Sequence, residues 1–304
     1  MKICCVGSSN IDMCAHVERL PRPGETMGNG EFLQSYGGKG ANQAIAAARL
    51  GCQVSFLTAV GNDIYGTQMI RHYADEGMDI TGVMKVNDVP SGIALIMIDK
   101  HGENCISACP GANWAFPKEL VIKNKQLIEE ADILLLQAEA PYPGVKEAIE
   151  TAHRAGKKVV FNLAPVCKVE DSLFPMVDVL IVNETEGSEV SGLDADYKTI
   201  AQALKEKGVG TVIITLGSKG CYALTNEGGF FVPAFKVKSV DAVGAGDTFC
   251  GAVTVALAEM GTISPEALRF GCASSALSVM GKGAQTSIPQ RDMVEEFLAT
   301  HAND

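Results

Sequence analysis

Asp247 stands in the stretch Val-Asp-Ala-Val-Gly-Ala-Gly-Asp-Thr-Phe, residues 240–249, between a glycine-rich turn and an apolar run with helical spacing. Three readings suit such an aspartate. As a helix cap it would serve the run Thr248–Met260, although Cys250 stands where a Glu or Gln would complete a capping box. A dinucleotide loop would need Gly-x-Gly-x-x-Gly, but Phe249 occupies the third glycine position and the motif lies far from the first βαβ unit. The remaining chemistry is phosphoryl transfer. Gly244, Ala245, Gly246 and Asp247 can aim backbone amides at a phosphoryl group while the carboxylate accepts a hydroxyl proton.

Other motifs suit the same chemistry. Gly-Gly-Lys-Gly-Ala-Asn, residues 37–42, invites comparison with a P-loop, yet Gly40 follows Lys39 and Leu33 stands at the pattern's first glycine. It remains a glycine-rich turn at a helix start, expected to offer free amides to phosphate or sugar hydroxyls. In Asn-Glu-Thr-Glu, residues 183–186, Asn183 and Glu186 share a face if the segment is helical. A carboxylate there, aimed at a phosphate, would hold Mg²⁺, often through water; helix capping is the competing reading. The five histidines show no partner spacing and are given no role.

The elements that must position these residues follow from hydrophobic pattern. Short apolar runs (2–7, 53–61, 131–137, 157–165, 177–184 and 209–217) read as strands. Amphipathic stretches (41–51, 63–77, 143–156 and 197–208) read as helices between them. This alternation predicts a parallel sheet covered on both faces. Such sheets bind ligands beyond the carboxyl ends of their strands, where Asn10, Asp12, Glu139, Asn162, Asn183, Glu186 and the run Thr215–Gly220 fall. Residues 12–35 and 87–109 break the rhythm. The second reads as a hairpin turning at Lys-His-Gly-Glu, and together they suit a small antiparallel sheet beside the main one.

A chain of 304 residues suits one large α/β domain with a small appendage. The formal charge of −11 argues against a nucleic-acid surface. No apolar run approaches the ~18 residues of a membrane span, and the N-terminal stretch reads as a strand rather than a signal peptide. The ten cysteines show no CxxC pair and no zinc spacing, which fits buried reduced thiols in a cytoplasmic protein.

"GGKGAN", "NETE", "TLGSKG", "DAVGAGDTF" and "GKGAQTSIP", in this order, resemble the PfkB carbohydrate kinases over nearly the whole chain. "NID", "GGKGAN" and "GKGAQ" are similar to its ribokinase branch, which includes deoxyribokinases. The resemblance implies a three-layer α/β fold: a mainly parallel central sheet with helices on both faces (1–11, 36–86 and 110–304), plus a small β-sheet lid (12–35 and 87–109). It implies ATP-dependent phosphorylation of D-ribose at O5; the alternatives are deoxyribokinase, another sugar or nucleoside kinase of the family, and a non-catalytic sugar-binding relative. Asp247 would be the base and Gly244, Ala245 and Gly246 the anion hole. Asn10, Asp12, Gly38, Lys39, Gly40, Ala41, Asn42 and Glu139 would hold the sugar. The nucleotide would meet Asn183, Thr215, Leu216, Gly217, Ser218, Lys219, Gly220, Gly246, Asp247 and Cys272, with Glu186 organising Mg²⁺. Asp241, Val243, Ser278, Gly281, Gly283 and Ser287 would hold K⁺ or a similar cation, and the lids of two subunits would pair as a homodimer. Departures from the family pattern are Pro110 before Gly111, Met13 after Asp12, and Cys272 where some members place a histidine near adenine.

Overall fold

A computed structural model describes residues 1–101 and 103–302. Gly102, in the expected hairpin turn, and residues 303–304 lie outside the described residues. In chain order the strands are β1 (Lys2–Val6), β2 (Asn10–Val17), β3 (Glu31–Gly37), β4 (Gln53–Gly61), β5 (Val83–Val86), β6 (Gly92–Asp99), β7 (Asn104–Cys109), β8 (Ile133–Gln137), β9 (Lys158–Asn162), β10 (Val179–Asn183), β11 (Thr211–Thr215), β12 (Gly220–Thr225) and β13 (Gly228–Pro233). The helices are α1 (Lys39–Arg49), α2 (Ile64–Asp75), α3 (Lys118–Lys123), α4 (Lys125–Glu129), α5 (Tyr142–Arg154), α6 (Glu184–Ser191), α7 (Tyr197–Glu206), α8 (Ala245–Met260), α9 (Pro265–Ser278) and α10 (Arg291–Thr300).

The large sheet has the order β13-β12-β11-β10-β9-β8-β1-β4-β5. Its pairings are parallel from β11 to β5, while β11-β12 and β12-β13 are antiparallel. The antiparallel edge is absent from the sequence reading, because its glycines and polar residues resemble a loop. Strand alternation divides the core into two layers. Ile3 and Cys5 of β1 join the apolar cluster under α1, α2, α8 and α9. Cys4 and Val6 of the same strand join the cluster under α3, α5 and α7. Both faces being covered explains why the central strands read as unbroken apolar runs.

A second sheet, ordered β3-β2-β6-β7, stands apart from the first. It draws on the two irregular segments, and the paired strands of the first run beyond 12–35, beginning at Asn10 and ending at Gly37. β2 pairs antiparallel with β3 but parallel with β6. Asn10 and Asp12 therefore belong to the small sheet although they directly follow the first strand of the large one.

Candidate active site

β1 is flanked by β8 on one side and β4 on the other, so the chain order reverses between β8 and β1. Chain leaving the two strands there diverges and opens a crevice. Ser8, after β1, donates its hydroxyl to Glu139 Oε2 at 2.5 Å across this gap. The same oxygen accepts the Lys39 amide at 3.1 Å. Gly40 and Ala41 donate their amides to Ser8 Oγ and Ser8 O, at 3.4 and 2.9 Å. The expectation that this turn faces outward with free amides is thus corrected: α1 begins at Lys39 and its first amides are consumed within the chain.

The start of α8 is the opposite case. Its N-cap is Gly244, at φ +77°, a backbone region that favours glycine. The amides of Gly246 and Asp247, in the first turn, find no acceptor among the described residues. A Cβ placed on Gly246 would meet nothing within 4 Å, so that turn borders open space. Asp247 is not the cap, because the helix starts two residues before it and its side chain makes no capping bond. Its buried carboxylate instead accepts Asn42 Nδ2 at 2.8 Å and Gln43 Nε2 at 3.0 Å.

These two amides belong to a larger network. Gln43 Nε2 also donates to Asn162 Oδ1 at 2.9 Å, and Gln137 Nε2 donates to Gln43 Oε1 at 2.6 Å. Gln285 Nε2 donates to Asn42 Oδ1 at 3.0 Å, and His72 Nε2 bonds Gln285 Oε1 at 3.0 Å. The His72 ring stacks on Tyr36 at 4.2 Å between centroids, and burial pushes its pKa down. Sequence reading missed Gln43, Gln137, Gln285 and His72. The spacing Lys39, Asn42, Gln43 at i, i+3 and i+4 was the available signal for Gln43. Gln285 falls within the Gly-Lys-Gly-Ala-Gln motif, which resembles the branch but gave this residue no role; nothing local marks Gln137 or His72, which arrive from distant elements.

Asn10 and Asp12 extend the site into the small sheet. Asn113 Nδ2 donates to Asn10 Oδ1 at 2.7 Å, leaving the Asn10 nitrogen as the end that can donate to a ligand. Burial, with Glu139 and Asp247 nearby, pushes the Asp12 carboxyl up to about 6. Asp247 is the largest influence raising the Lys39 pKa, opposed by burial and reinforced by Glu139 and Glu186. Burial raises the Glu186 carboxyl, while Lys39 acts in the opposite direction. One ammonium thus stands among several carboxyls, an arrangement that favours a further positive charge or a hydroxyl-rich ligand.

Asn183 and Glu186 form a reciprocal capping box on α6: Asn183 Oδ1 accepts the Glu186 amide at 2.8 Å, and Glu186 Oε2 accepts the Asn183 amide at 2.9 Å. Capping and electrostatic influence on the site coexist in Glu186. Beside α8 lies a cavity of about 320 Å³. Thr215, Gly217, Ser218, Gly220, Gly246 and Cys272 of the expected nucleotide set line it. Leu216 is buried in the core, and Lys219 is exposed and paired with Glu184 at 3.9 Å; neither they nor Asn183 line the cavity. Apolar walls from Phe235, Phe249, Ala276 and Val279 were not anticipated.

The loop before α8 is tied to the chain after α9. Val240 donates its amide to Val279 O at 2.7 Å, and Asp241 accepts the Val243 and Gly283 amides at 3.0 and 2.9 Å. A Cβ on Gly281 would lie 2.8 Å from Ser287 Cβ. The positions expected to hold a monovalent cation are therefore drawn together, and they offer oxygen donors alone.

The chain matches a family described as pfkB family carbohydrate kinase over residues 1–291. It is 40% identical over 297 residues to a ribokinase of Haemophilus influenzae, covering 96% of this chain and 97% of that one. It is 34% identical over 304 residues to a deoxyribokinase of Salmonella typhi, covering 98% and 99%. The structure of Arabidopsis thaliana ribokinase complexed with ribose and ATP superposes with a TM-score of 0.90, at 33% identity and 98% coverage of both chains.

Proposed function

The chain belongs to the pfkB family of carbohydrate kinases, and we propose that it transfers the γ-phosphate of ATP to O5 of D-ribose. One observation carries the reading: a buried carboxylate, Asp247, held by two side-chain amides, beside first-turn amides of α8 that have no partner among the described residues, in a turn that borders open space at Gly246. In this reading Asp247 takes the proton of the primary hydroxyl. The amides at Gly246 and Asp247 stabilise the transferring phosphoryl group, whose charge the start of α8 favours. Lys39 offsets charge between base and phosphate. Asn10 donates and Asp12 accepts at the sugar hydroxyls, with Glu139 and the turn 38–42 completing that side. ATP occupies the cavity beside α8, with its base between the apolar walls.

Glu186 suits Mg²⁺ delivered with ATP, since it is a half-buried carboxylate influenced by the charges of the site; such an ion neutralises phosphate charge. Asp241, Val243, Ser278, Gly281, Gly283 and Ser287 supply the oxygen-only donors that a weakly hydrated cation such as K⁺ takes, and that ion would brace the loop before α8. Residues 12–35 and 87–109 act as a lid over the sugar. The lid exposes apolar side chains on both faces: Phe32, Leu95 and Met97 on one, Leu33 and Ile106 on the other. A second copy of the chain pairing through this sheet would cover them. No helix among the described residues is long and apolar enough to cross a membrane, and ten free cysteines suit the cytoplasm.

An ADP-release assay across pentoses, deoxypentoses, hexoses and nucleosides tests the reading, with ribose expected to give the highest kcat/KM. The relative named deoxyribokinase supports one other acceptor, 2-deoxyribose. A kcat/KM for that sugar equal to or above ribose would transfer the assignment to it, because a site bonding each hydroxyl rejects a sugar lacking one.

A further inference from the structure

Cys221 on β12 and Cys272 on α9 place their sulfurs 3.8 Å apart, both buried. Cys272 lines the cavity beside α8, so a small polar oxidant entering the cavity meets its sulfur. The contact with Cys221 lowers the Cys272 pKa, and Arg269, one turn earlier on α9, acts in the same direction. The other cysteines offer no comparable pair among the described residues. Cys4 and Cys5 belong to opposite core layers. Cys105 and Cys109 are exposed on β7 but stand four residues apart on one strand, roughly 13 Å.

We propose that Cys221 and Cys272 form a reversible redox pair that closes to a disulfide and disables the nucleotide cavity. The part that concerns ATP rests on the nucleotide assignment above; the thiol chemistry does not. With a hydroperoxide as oxidant, the Cys272 thiolate attacks one peroxide oxygen, the O–O bond breaks, and Cys272 becomes a sulfenic acid as water or alcohol leaves. The Cys221 sulfur then attacks the sulfenic sulfur and displaces water. Two thiols and one hydroperoxide thus yield one disulfide, one water and one water or alcohol. Bond formation draws the sulfurs together by roughly 1.7 Å, to the ~2.05 Å of a disulfide. Because β12 and α9 are packed elements, the approach moves Ser275, Ala276 and Val279, which line the cavity from the same helix and its end.

The test exposes the full chain to hydrogen peroxide, with and without saturating ATP, followed by non-reducing peptide mapping and calorimetric ATP binding. A Cys105→Ser, Cys109→Ser background removes the exposed thiols. The expected result is a Cys221–Cys272 cross-linked peptide whose formation ATP slows. ATP affinity falls about tenfold, since a close-packed wall cannot shift without narrowing the cavity, and dithiothreitol restores it. In Cys221→Ser, Cys272 lacks its partner, so oxidation runs on to a form that dithiothreitol does not reverse. Two results would overturn the proposal: both thiols staying reduced while ATP binding is lost, or a complete cross-link that leaves ATP affinity unchanged. Reduced protein that fails to bind ATP would count against the nucleotide assignment, while the peptide map would still decide the fate of the thiols.

Discussion

Asn42 donates its side-chain amide to Asp247 at 2.8 Å while its carbonyl oxygen accepts Gln285 Nε2 at 3.0 Å. Gln285 therefore determines which way round the Asn42 amide sits, and so whether the carboxylate meets a donor or an acceptor. Gln285→Glu removes that donor while keeping shape. Ionised, the new carboxylate turns the Asn42 nitrogen toward itself and leaves an oxygen facing Asp247. The expected kcat loss is about tenfold or more at pH 8, shrinking as pH falls and the introduced carboxyl protonates to donate again. A loss that is flat across pH would show a packing role only.

Asp247→Asn keeps the volume and removes the proton acceptor. We expect kcat to fall by about three orders of magnitude, with ribose binding by calorimetry changed no more than about threefold. Turnover comparable to the parent would remove Asp247 from the base role.

The raised pKa of Asp12, about 6, ties stability to pH with a definite sign. Between roughly pH 4 and 6 the native state holds this proton more tightly than the unfolded chain, so stability falls as pH rises through that window and stays lower above it. Asp12→Asn should raise the thermal midpoint by about 2–6 °C at pH 8 and by little at pH 4. Losing a charged acceptor should raise the ribose KM about 10- to 100-fold. In the parent, KM should climb as pH drops below about 6, a slope the variant lacks. Equal stabilisation at both pH values would show that charge is not the cause.

Gly246→Ala separates fold from chemistry. The added methyl meets no protein atom within 4 Å, and alanine favours a helix by up to about 1 kcal/mol over glycine. The midpoint should hold or rise while kcat drops about tenfold or more, as the methyl intrudes on the phosphoryl group. Unimpaired turnover would mean that phosphate does not approach this turn.

Replacing K⁺ by choline should lower kcat about tenfold with little change in ribose KM, because the Asp241 loop supports α8 rather than the sugar. Asp241→Ala should lose the response to K⁺. Equal rates in both salts would dispose of the cation site.

The central strands were legible because each is an unbroken apolar run, and the segments 12–35 and 87–109 stood out by lacking helical period. β12 and β13 were not, since Gly220, Gly228 and Gly229 read locally as turn. In the site, Asp247 and Lys39 announced themselves through flanking glycines. The orientation of the Asp247 carboxylate did not, because it depends on Gln43 and Gln285, which are 204 and 38 residues away in sequence. The meaning of a glycine-rich helix start also escaped sequence reading: the turns at 37–40 and 244–246 look alike, and only Ser8 and Glu139 make the first one self-contained.

Asn10 and Asp12 open β2, whose pairing with β6 continues in register from Asn10 to Val17. In the proposed function, the groups facing the sugar are thus the near end of a stiff lever whose far end is the outer rim of the small sheet. Force applied at Ala15 or its cross-strand neighbour Phe32 arrives at Asp12 without a joint to absorb it. Anything that grips that rim thereby acquires leverage over sugar affinity without entering the crevice.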